Sequence, residues 1–154
     1  MSKLAKYLIP LAFVGMMPLT SMAQQLPGKH PGCLHALTDL RAARWFLNHQ
    51  AGDARVYANE DIGITEIDAA IGEIKHAAID DGKDLNDHPS ADVNEHGSRL
   101  LKSIETLKRA RADLEHEEDN PEVRGLRDRA WGHIDRAIHA AEKAHAEWLK
   151  DMGK

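Results

Sequence analysis

From residue 30 onward, apolar positions recur every three or four residues, the spacing that gathers one face of an α-helix. Four such stripes follow one another. The first runs Cys33, Leu37, Leu40, Arg44, Leu47 with Ala36 and Ala43 beside it, and Pro31 suits a first helical turn. The second is Ile64, Ile67, Ile71, Ile74, Ala78, closed by Asp80-Asp-Gly82. Leu100, Ile104, Leu107, Arg111 and Leu114 make the third, with Asp92 or Asn94 as its cap. Asn120-Pro-Glu122 opens the fourth, Leu126 through Ala130, Ile134, Ala137, Ile138, Ala141 and Ala144 to Trp148. No run alternates as a strand would. The pattern predicts an all-α, antiparallel up-down-up-down four-helix bundle over residues 31–154.

Shifted by 67 residues, the chain matches itself without a gap. Leu34, Leu40, Ala43, Arg44 and Leu47 fall on Leu101, Leu107, Ala110, Arg111 and Leu114, and Ile67, Asp68, Ala70 and Ile71 fall on Ile134, Asp135, Ala137 and Ile138. Apolar matches alone would mean little, but a repeated arginine inside each stripe and a repeated Asp after a core Ile point to duplication. The bundle therefore reads as two αα-hairpins, 31–82 and 94–152. A guanidinium inside an apolar stripe needs a carboxylate, so Arg44 and Arg111 are expected to pair with aspartates on neighbouring helices; two symmetric anion sites are the alternative.

Ahead of the helices, Met1–Lys6 is short and basic, residues 7–20 are apolar, and Ser21-Met-Ala23 carries small residues at the −3 and −1 positions. Residues 1–23 read as a secretory signal, too short and too interrupted by Pro10 and Pro18 to be a good membrane span. Residues 24–30 read as a flexible tail. The expected location is the periplasm or outside the cell. Loss of Lys3 and Lys6 with the signal takes the net charge from −5 to −7. An acidic chain without a basic patch gains nothing from counterion release, so nucleic acid is not an expected partner, nor is membrane insertion after cleavage. Cys33 alone gives no intramolecular disulfide, and neither C-x-x-C-H nor a lipoprotein box surrounds it.

Ten histidines, all after residue 23, are the uneven part of the composition. Imidazole is the commonest metal ligand. No H-x-x-x-H or H-E-x-x-H occurs, and the two E-x-x-H segments ending at His76 and His145 lack the inward glutamates a di-iron centre takes from the other two helices. Asp80–His88 does not fit a calcium loop, because Gly82 and Leu85 stand at positions that need a ligand and a glycine. No Gly-x-Ser-x-Gly or phosphate-cradling glycine loop is present. In an up-down-up-down bundle, however, the start of helix 1, the end of helix 2, the start of helix 3 and the end of helix 4 share one end. His30, His35, His76, His88, His96 and His145 would meet there with Asp80 and Asp84. His35, His76, Asp80, Asp84, His88 and His145 are the candidate ligands for Zn, Cu or Ni, with Cys33 as an added thiolate.

Leu34-His-Ala-Leu-Thr-Asp-Leu-Arg-Ala-Ala-Arg44, Ala78-Ile-Asp-Asp-Gly-Lys83 with Asp87-His-Pro89, and Glu117-Glu-Asp-Asn-Pro121 with His133-Ile-Asp135 resemble motifs of small exported bacterial four-helix proteins with no assigned function. That resemblance implies fold and location. More loosely, His133-Ile-Asp-Arg-Ala-Ile-His-Ala-Ala-Glu-Lys-Ala-His145 is similar to the periplasmic small metal-binding proteins of nitrifying bacteria, which implies uptake of divalent transition metal. The expected function is a non-enzymatic exported bundle that binds such metal weakly through its His/Asp-rich end. The alternative is a structural or protein-interaction module without a metal role, a homodimer through tryptophan faces or Cys33 being one form of it.

Overall fold

The computed structural model describes residues 30–48, 57–76, 82–115 and 121–153. They form four helices: α1 (Pro31–Leu47), α2 (Ala58–His76), α3 (His96–Glu115) and α4 (Pro121–Asp151). No strand occurs among the described residues. No helix among them is long and apolar enough to cross a membrane. The proposed signal, the tail up to Lys29 and Asp80 lie outside the described residues.

The stripes face inward. Leu37, Leu40 and Leu47 of α1, Ile67, Ile71 and Ile74 of α2, Leu100, Leu107 and Leu114 of α3, and Ile134 with the alanines of α4 form one buried core. Short alanines at Ala130, Ala137, Ala141 and Ala144 bring α4 close to its neighbours. At the start of α1, Pro31 fills the first turn while His30 takes a left-handed φ of 70° and caps nothing with its side chain. The cap of α3 is neither Asp92 nor Asn94, whose side chains bond each other at 3.2 Å. Glu95 takes that role, its carboxylate accepting from the Ser98 backbone N–H at 2.6 Å.

Interhelical bonds fix the direction of every helix. Ser103 and Arg109 of α3 reach Ala43 and Asp39 of α1, so those two helices are antiparallel. Asn59 meets Glu147 and Glu73 meets Arg129, so α2 and α4 are antiparallel too. Arg44 with Asp68 joins α1 to α2, and Lys108 with Glu142 joins α3 to α4. With α1 up, α2 is down, α3 is down and α4 is up. The bundle is therefore up-down-down-up, which corrects the up-down-up-down expectation. The physical cause is the connection between α2 and α3, which spans residues 77–95. At about 3.3 Å per extended residue it easily covers the about 28 Å of α2 and returns the chain to the opposite end. Its described part is tied down on the way: Lys75 Nζ donates to the Lys83 carbonyl at 3.4 Å, Arg44 donates to Asn86 Oδ1 at 3.4 Å, and His88 stacks on Trp45. α1 and α4 thus lie diagonally opposite, as do α2 and α3.

Candidate functional site

The corrected topology separates the residues expected to bind metal. His35 at the start of α1 and His76 at the end of α2 share one end, both exposed. Asp84 is exposed in the connection, with Oδ1 accepting from the Asn86 backbone at 2.9 Å. His88 lies further along, its ring 4.7 Å from that of Trp45 and its Nδ1 2.9 Å from the Pro89 carbonyl. His145 stacks on Trp148 near the end of α4, at the opposite end of the bundle from His35 and His76. His96 is at that opposite end as well, 2.9 Å from buried Glu60. Cys33 is 2% exposed within the core, which withdraws its thiol from any surface ligand set. Among the described residues no three His, Cys, Asp or Glu side chains form a group that would hold a metal ion.

Arg44 and Arg111 are paired as expected, each with an aspartate of its own hairpin. Nε of Arg44 donates to Asp68 at 2.7 Å, and Nε of Arg111 donates to Asp135 at 2.6 Å. Arg111 also lies over the ring of Trp131, whose indole N–H donates to the Arg111 carbonyl at 3.1 Å. These groups carry packing and orientation. Arg44 and Arg111 are thus engaged by carboxylates and do not form two symmetric anion sites.

A concave surface lies between α2 and α4. Glu66 of α2 is one of the residues lining it, 2.6 Å from His133 Nδ1 and accepting from Arg136 Nε at 2.9 Å. Arg136 Nη2 is 2.7 Å from the same imidazole nitrogen. Burial by itself disfavours the ionised Glu66, but hydrogen bonds from His133 and Arg136 and their charges outweigh it and hold the carboxyl below its ordinary range. Beside this cluster opens a groove of about 370 Å³, floored by Ile62 and Ala140 and edged by His139 and Lys143. Ile62 is 50% exposed, whereas Ile67, Ile71 and Ile74 of the same helix are buried and Ile64 is partly so. The apolar stripe begins at Ile64, so Ile62 falls outside it and is invisible to a reading that follows only the core face. The available signal was an off-stripe isoleucine combined with the i, i+4 pair His139 and Lys143 on the helix that packs against it. Comparison with known proteins finds no matching family model, no matching curated protein and no matching solved structure.

Proposed function

We propose that this chain is an exported, non-enzymatic helical bundle that acts by binding, through the groove between α2 and α4. The observation that carries the reading is the contrast within that face. Its carboxylate is held by an imidazole and a guanidinium, while the neighbouring Ile62 is left uncovered over a concavity of small-molecule size, about 300–1,000 Å³ being usual for such sites. Export rests on the basic, apolar and small-residue segments of residues 1–23. Duplication of an αα-hairpin belongs to the same proposal. It is supported by two Arg–Asp pairs 67 residues apart, and by Glu66 meeting His133, its own counterpart at that offset. Counterparts meet in this way where a two-fold axis passes between α2 and α4.

The test has two parts. N-terminal sequencing of protein recovered from the periplasm should begin at Gln24. Backbone amide spectra of the mature protein titrated with 1-octanol, an apolar probe, should shift at Ile62, Ala140 and their neighbours. Shifts scattered over the surface or absent would remove the groove as the working face.

Weak binding of Zn, Cu or Ni is the second reading. In its favour, His35 and His76 are both exposed at one end, Asp80 follows His76 in the chain, and Lys75 keeps Lys83, and so Asp84, near the end of α2.

A further inference from the structure

The charged groups around the α2–α4 groove divide into those already engaged and those not. Glu66 is held by His133 and Arg136, and Asp135 is held by Arg111. The side-chain amide of Asn59 donates to Glu147 at 2.7 Å. Two groups remain. Among the described residues, neither His139 nor Lys143 takes part in a hydrogen bond or an ion pair, and both line the groove from α4. Four residues apart, they stand on one face with their Cβ atoms about 6 Å from each other. Ala140 lies between them and Ile62 opposite, so donors and apolar floor belong to a single concavity. The chain as a whole carries a net charge of −5, so composition does not account for a groove whose uncommitted groups are cationic or hydrogen-bond donors.

We infer that this groove takes a small apolar carboxylate, with the carboxylate between Lys143 Nζ and the His139 imidazole and the aliphatic tail on Ile62 and Ala140. The inference rests on the proposal that the groove is the working face, and it names the ligand class. Three features select that class. An uncharged hydrophobe would leave the Lys143 ammonium and the His139 imidazole unused at the rim. A phosphate or sulfate ester favours the planar fork of an arginine, and Arg136, the one arginine in the groove wall, already serves Glu66. A volume of about 370 Å³ is at the small end of ligand sites and fits a medium-length chain rather than a long one.

The test compares sodium octanoate, 1-octanol and sodium acetate by amide chemical-shift titration of the mature protein. Octanoate should saturate at about 0.1–1 mM, with shifts centred on Ile62, Ala140 and Lys143, and the other two probes should bind at least about tenfold more weakly. The exposed positions allow clean variants. Lys143→Ser with His139→Ser should weaken octanoate at least about tenfold, as should Ile62→Ser, while Lys102→Ser on α3 leaves it unchanged. If octanol binds the groove as tightly as octanoate and the double variant changes nothing, the carboxylate class is overturned and the groove reading survives. If neither probe shifts the groove, both fall.

Discussion

Compare the two ends of the bundle. Where α1 finishes and α2 and α3 begin, polar groups are built into the packing. Glu60 is 2% exposed and lies 2.9 Å from His96, whose ring is stacked obliquely by Tyr57. Gly97, one residue on, is covered by Trp148 arriving from α4. At the other end, His35 and His76 stand in solvent at the start of α1 and the end of α2. The same residue type therefore does different work at each end. What a helix end faces decides whether a histidine is a structural partner or a surface group, and the number of histidines does not.

The sharpest way to break this contrast is to remove His96. His96→Ala withdraws an imidazole from a buried carboxylate and should cost about 2 kcal/mol in urea unfolding, because a desolvated carboxylate loses one of its hydrogen bonds. A loss under about 0.5 kcal/mol would mean that the pair is as dispensable as a surface contact. Gly97→Ala comes next. A Cβ there would fall 2.5 Å from two carbons of the Trp148 ring, too close for any real contact, so the indole must leave α3. Overpacking of this kind costs about 1–3 kcal/mol, against a helix-propensity gain of up to about 1 kcal/mol, for a net loss of about 1–2 kcal/mol. Gly72→Ala in α2 is the matched control, with open space around the added methyl and a gain of about 0.5–1 kcal/mol.

Core composition was legible in the chain because helical periodicity is a local property. Leu37, Leu40, Ile67, Ile71, Leu100, Leu107 and Ile134 were all on predicted stripes and all are buried. So were the partners of Arg44 and Arg111, since an arginine within a stripe has few ways to keep its charge. The order of helix directions was not legible from periodicity, because two antiparallel hairpins can be joined in either sense and only the course of residues 77–95 decides. That one nonlocal fact moved His96 and His145 to the far end, away from His35 and His76. Arg41 and Arg99, each 1% exposed, were also missed. Their burial depends on what neighbouring elements bring to them, and nothing in their own spacing announces it.

Between the two ends, the α2–α4 face supplies a pH-sensitive reference. Glu66 titrates below its ordinary range in the folded protein, so its pairs stabilise fully above the unfolded carboxylate pKa, and that stability is lost as pH falls through the folded value. Glu66→Gln should lower stability at neutral pH by about 1 kcal/mol and flatten the acid limb of the stability–pH curve. An unchanged acid limb would show that His133 and Arg136 do not hold this carboxylate in solution. Smaller still are the two Arg–Asp pairs. Their side chains are 21% and 37% exposed at Arg44 and Asp68, and 39% and 54% at Arg111 and Asp135. Each arginine-to-alanine change should cost no more than about 1 kcal/mol, Arg44 losing its bond to Asn86 as well and Arg111 its place over the Trp131 ring. A loss well above about 1 kcal/mol at either position would show that the pair is more than a solvent-screened surface contact.

The smallest effect on stability is expected at the exposed end, and it is also where metal binding is decided. His35→Ala and His76→Ala should each stay within about 0.5 kcal/mol of the parent, since neither side chain is buried. Zn(II) then separates the ends. If His35 and His76 gather a metal with Asp80 or Asp84, added Zn(II) raises the melting temperature of the parent by binding the folded state alone, and either alanine variant loses that rise. His145→Ala must keep it, because His145 sits on α4 beside Trp148 at the opposite end. A Zn(II) response abolished by His145→Ala would place His145 with His76 after all, and the up-down-down-up order could not stand.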